Sequence, residues 1–139
     1  MIQRIQSVWL LLAAVAAFLT FKVAFFSGNI IGEDKIKVFK QLMATSNLVI
    51  LACSAILGGI TFIAIFLYKN RKLQMRMVLG GLVLSVIILI LYYLQAQKFI
   101  EGAYNITAIV SLLVPVFLIL AARGIRQDQK LVKSLDRLR

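Results

Sequence analysis

The chain has 139 residues, of which 62% are hydrophobic and only 15% charged, with no histidine, one cysteine and a net charge of +11. Its mean hydropathy is +0.96. A water-soluble domain of this size lacks the polar surface to cover so much apolar side chain, so lipid must be the main solvent. Cys53 alone excludes a disulfide framework and a cysteine metal site, and Glu33, Asp34, Glu101, Asp128 and Asp136 all lie outside the apolar runs, so no metal or cofactor is expected.

A short polar start with one cation, Arg4, leads into a first apolar run over residues 8–26. Ala14-Val15-Ala16 resembles a signal cleavage site, but cleavage there leaves half a span, so a retained helix is read, with Lys22 snorkelling at its outer end. Residues 27–47 form the longest connection, opening on the turn formers Ser27-Gly28-Asn29 and Gly32. Within it Ile36, Phe39, Leu42 and Met43 recur at helical spacing between lysines. The pattern predicts a short helix, either amphipathic on the outer face or an ordinary solvated loop helix.

The second run, residues 48–67, carries no charge, and neither does the third, residues 78–94. At roughly 20 and 17 residues, both match what a helix needs to cross ~30 Å of hydrocarbon. Between them lies YKNRKLQMRM, residues 68–77, with Lys69, Arg71, Lys72 and Arg76, a connector held on the cytoplasmic side by its charge. Ser54 with Gly58, Ala55 with Gly59, and Gly80, Gly81 and Ser85 form small-residue patches for close helix packing within the bundle, as do Ala13 and Ala17. Tyr92 and Tyr93 read as an aromatic belt at one interface, and Trp9 marks the opposite one. A fourth span is predicted over residues 105–122, bent by Pro115. Asn105-Ile106-Thr107 matches a glycosylation sequon, a match that would be meaningless if the membrane were bacterial.

Eleven cations fall on one side of this arrangement, including every arginine, and five lysines on the other: Lys22, Lys35, Lys37, Lys40 and Lys98. The fold class predicted is therefore an all-α membrane protein, four helices in an up-down bundle with both termini cytoplasmic. After the last span, Arg123, Arg126, Lys130, Lys133 and Arg137 are spaced three, four, three and four apart, an arc of about 80° on a helix. Ile125, Leu131, Val132, Leu135 and Leu138 lie opposite, interrupted by Asp128. Residues 124–139 are thus a short basic amphipathic helix, suited to an anionic lipid surface, to a partner or second copy, or to RNA or the ribosome. No aromatic interleaves the charges, which disfavours nucleic acid.

The start Met1-Ile2-Gln3-Arg4-Ile5-Gln6 and the finish Leu131-Val132-Lys133-Ser134-Leu135-Asp136-Arg137-Leu138-Arg139 resemble an uncharacterised domain-of-unknown-function family of small four-span inner-membrane proteins of Gram-negative bacteria. The resemblance implies the fold and the inner membrane and transfers no activity.

An enzyme is disfavoured because the spans offer no nucleophile with a base. A proton-coupled transporter lacks mid-membrane carboxylates or histidine. An oligomeric channel or small-solute transporter lined by Ser54, Thr61, Ser85 and Ser111 is a secondary reading, since such hydroxyls usually bond back to their own helix. The preferred expectation is an accessory or structural subunit that docks on a larger membrane assembly.

Overall fold

The computed structural model describes residues 2–31 and 36–136, with the backbone alone at 2–4 and 133–136. Four helices pack in a ring. They are α1 (Ile2–Leu19), α2 (Leu48–Phe66), α3 (Arg71–Ala96) and α4 (Ala108–Asp136), with α1 closing the ring by its extensive contact with α4. Three of them are long and apolar enough to cross a membrane, and the apolar stretch of α1, Ile5–Leu19, is shorter. Asn47 starts α2 by accepting the Val49 N–H on its side chain at 2.9 Å. Asn70 caps α3 in the same manner, after a single 3₁₀ turn, Leu67–Lys69. The connector is thus only a turn, and Arg71, Lys72 and Arg76 already lie on the helix.

The inside of the ring mixes large apolar side chains such as Leu10, Ile50 and Leu118 with many small and hydroxyl ones, among them Ala13, Ala17, Ser54, Gly58, Thr61, Ala64, Gly81, Ser85 and Ser111. Large apolar side chains such as Leu11, Val15, Phe62, Ile63, Val83, Ile87, Leu112 and Ile119 point outward. Without a hydrophobic drive between helices in lipid, close backbone approach through small residues supplies the packing. Gly58 shows this directly, because an added Cβ would come within 2.8 Å of the Phe18 ring on α1. Gly59 and Gly80, placed in the same packing role by sequence, have nothing within 4 Å of such a Cβ and face outward.

One end of the ring is covered by a three-stranded antiparallel sheet of order β2-β1-β3, an architecture the all-α expectation missed. The strands are β1 (Phe26–Ile31), β2 (Lys37–Leu42) and β3 (Glu101–Tyr104). Phe26 pairs with both Leu42 and Tyr104, and Asn29 with both Phe39 and Glu101. The predicted helix near residues 34–43 is therefore corrected to a strand, with residues 32–35 outside the described part. The backbone groups of these two connections need partners, and β1 supplies them to β2 within its own connection and to β3 in the other.

The sheet also shortens the first predicted span, because Phe26 belongs to β1 and α1 stops at Leu19 in a turn closed by Phe21 and Lys22 N–H bonds to Phe18 and Leu19. Tyr92, expected in an interfacial belt, is wholly buried beneath the sheet and stacks on Phe25 at 4.6 Å and 11°. Its neighbour Tyr93 keeps the outward position. Phe26 meets Phe99 and Tyr104 edge-on, and Thr107 Oγ1 donates to the Ala24 carbonyl, tying the start of α4 to the sheet.

The tail is not a separate helix. α4 continues through Pro115 to Asp136, so its 29 residues are about 43 Å long and overshoot the ~30 Å of hydrocarbon.

Candidate functional site

Polar groups gather in two places, inside the ring and at the end opposite the sheet. Inside, Thr20, Ser54, Ser85 and Ser111 converge from the four helical segments on a cavity of about 10 Å³, the volume of one water. Ser85 donates to Leu82 O at 2.7 Å, Thr20 to Ala17 O at 2.6 Å, and Thr61 to Leu57 O and Gly58 O at 2.9 Å each. Ser54 Oγ has no hydrogen-bond partner among the described residues. Proline at 115 removes the N–H that would have bonded Ser111 O. These hydroxyls lie within one protomer and mostly serve their own helices.

The second gathering is at the connector end. Gln74, buried in the first turns of α3, donates its amide to Ala64 O at 2.9 Å and so holds the last turn of α2. Arg71 Nη1 donates to Asp128 O at 3.1 Å, and Gln129 Nε2 donates back to Arg71 O at 3.2 Å. This reciprocal pair fixes the overshooting part of α4 against the connector. Gln6 Nε2 donates to Gly124 O at 3.0 Å and does the same from α1. An added Cβ on Gly124 would lie 2.8 Å from Gln6 Cγ, so the glycine admits the contact. Asp128 sits on the inward stripe of α4 below Ile125, 5% exposed, its Oδ2 without a hydrogen-bond partner among the described residues.

Between the connector and the α4 extension the latch leaves an open cleft of about 560 Å³, lined by Lys69, Asn70, Arg71, Lys72, Gln129 and Val132. Three cations face it, and no described lining residue is acidic. A smaller groove of about 330 Å³ runs between α1 and α4 past Trp9, Leu120 and Arg123. Trp9 there stacks on Phe117 at 6.0 Å.

Of the tail cations singled out by sequence, Arg123, Arg126 and Lys130 are exposed, and none of them lines the cleft. The side chain of Lys133 and the whole of Arg137 lie outside the described part. Ile125 is buried as its face requires, whereas Leu131 and Val132 are exposed. Sequence reasoning gave the connector cations a topological role only. The signal it passed over was three cations around a helix N-terminus with no acid in the first turn, where the helix dipole disfavours positive charge. Among the described residues no three His, Cys, Asp or Glu side chains are placed to hold a metal.

No curated protein and no solved structure matches the chain. Residues 2–138 match a family described as a domain of unknown function, DUF4293. With nearly its whole length covered, from the start of α1 to beyond the latch, the chain belongs to that family.

Proposed function

We propose that this protein is a non-enzymatic accessory subunit of a bacterial inner membrane, with α1 as a fourth span, the connector end in the cytoplasm and the sheet on the outer surface. Its exposed α4 cations, Arg123, Arg126 and Lys130, engage anionic headgroups and dock on a larger membrane assembly. The observation that carries this reading is the partition of charge. Among side chains with a described position, Lys69, Arg71, Lys72, Arg76, Arg123, Arg126 and Lys130 gather at the connector end, against Lys22, Lys37, Lys40 and Lys98 at the sheet end. Arginine and lysine are retained on the cytoplasmic side during insertion, which orients the molecule. A ring whose hydroxyls are largely spent on its own carbonyls, around a cavity for a single water, supports a structural over a transporting role.

The test has two readouts. In a Cys53→Ser background, Gln41→Cys should react with a membrane-impermeant maleimide in intact spheroplasts, and Asn70→Cys only after lysis. The reverse pattern refutes the orientation. In gentle detergent the protein should migrate in a complex larger than its own oligomers, and the Arg123→Gln, Arg126→Gln double variant should release it. Migration alone, with solute flux in liposomes, refutes the accessory role.

A further inference from the structure

We propose that the cleft between the α2–α3 connector and the α4 extension binds a phosphate-bearing anion. Lys69, Arg71 and Lys72 come from four consecutive residues, yet the chain spends them on one concave surface: Lys69 closes the 3₁₀ turn, Asn70 caps α3, and Arg71 and Lys72 form its first turn. Cations crowded at the positive end of a helix dipole repel it and one another. Such a local conflict belongs where function demands it. A phosphate placed among them answers all three charges and the dipole together.

The cleft walls are set in advance. Arg71 donates one N–H of its planar fork to Asp128 O, which fixes the guanidinium at the cleft wall, and the Gln129 bond to Arg71 O holds the far wall in place. The cleft is open to solvent, so an anion can reach its three cations directly, and Gln129 adds a polar group from the opposite wall. The exposed cations Arg123, Arg126 and Lys130 do not line it, so this site is distinct from the docking surface proposed above and independent of it. A purely topological role needs only a number of charges. It does not need them to converge on a cleft, and that difference can be measured.

The experiment is calorimetric titration of the full-length protein in a neutral detergent with inorganic pyrophosphate, and, separately, with a short-chain phosphatidate. The comparison is with the Lys69→Gln, Lys72→Gln double variant and with Arg123→Gln, Arg126→Gln, which removes equal charge at the same end. Lys69 and Lys72 are exposed, so folding is preserved. The expected result is binding that weakens ~tenfold or more in the first variant and less than ~threefold in the second, as lost charge-assisted bonds require. Pyrophosphate binding identifies a free phosphate ligand, and binding of phosphatidate alone identifies a lipid headgroup; both support the site. Absence of binding to either probe, or equal weakening in both variants, overturns it.

Discussion

Gly28→Ala is expected to separate β3 from β1 while leaving the helices in place. A Cβ on Gly28 would overlap the Glu101 carbonyl oxygen and lie 2.7 Å from Gly102 Cα, both backbone atoms of the neighbouring strand that no side-chain rotation can clear. Restoring ordinary contact, near 3.4 Å, with the Glu101 oxygen requires β3 to retreat by about 1.2 Å. Adding that retreat to a typical N–H···O separation takes it to about 4.1 Å, where a hydrogen bond no longer exists. Overpacking of ~1–3 kcal/mol and the loss of one or two backbone bonds at ~0.5–1.5 kcal/mol each suggest a local cost of about 2–4 kcal/mol. Hydrogen exchange of the detergent-solubilised protein, followed by mass spectrometry, should then show the β3 segment exchanging roughly 30- to 1000-fold faster, with α2 and α3 unchanged. Gly102→Ala makes the converse intrusion, 2.9 Å from Gly28 Cα and 2.6 Å from Ser27 O, so the double variant should cost little more than either single one. The control is Gly80→Ala, which meets nothing within 4 Å. Equal exchange in the Gly28 and Gly80 variants would refute the close approach.

Two further predictions concern the ends of the molecule. Lys37 Nζ donates to Glu101 Oε1 at 2.9 Å across the sheet, and this bond, with the lysine charge behind it, holds the Glu101 carboxyl below its ordinary 4.5. Because the folded value is the lower one, the pair stabilises the fold above pH 4.5 and loses that effect as pH falls through the folded value. Lys37→Met should return the Glu101 titration toward 4.5 by carbon-13 NMR, and high salt should do so in part; an unmoved titration counts against the pairing. At the other end, Gln74→Met removes the buried bond to Ala64 O and should cost ~1–2 kcal/mol in mixed-micelle unfolding, whereas Thr61→Val, whose hydroxyl serves its own helix, should cost less than ~1 kcal/mol. Similar losses in the two would show that Gln74 does not hold the α2 turn.

The arrangement of the connector end became visible only when distant segments were brought together. Lys69, Arg71 and Lys72 are plain in the sequence as cations, but Gln129 and Val132 stand some sixty positions away and nothing in their spacing announces a shared cleft. Asp128 looked like an interruption of an apolar face. Its main-chain carbonyl is where the Arg71 guanidinium anchors α4. Tyr92 and Tyr93 are adjacent and chemically equal, and only the overlying Phe25 sends one inward and leaves the other outside.

The amino-acid order alone determined the helical segments, because uncharged runs of that length satisfy their backbone in lipid only by coiling, and each such run owes nothing to its neighbours. It likewise determined which end of the molecule is rich in cations. The sheet was decided by tertiary structure. The residues of β2 carry apolar groups at helical spacing and no alternation, and β3 is four residues with no strand signal of their own. Both became strands because β1 lay between them, offering partners to either side across as many as 78 residues of chain, a contribution no local window contains.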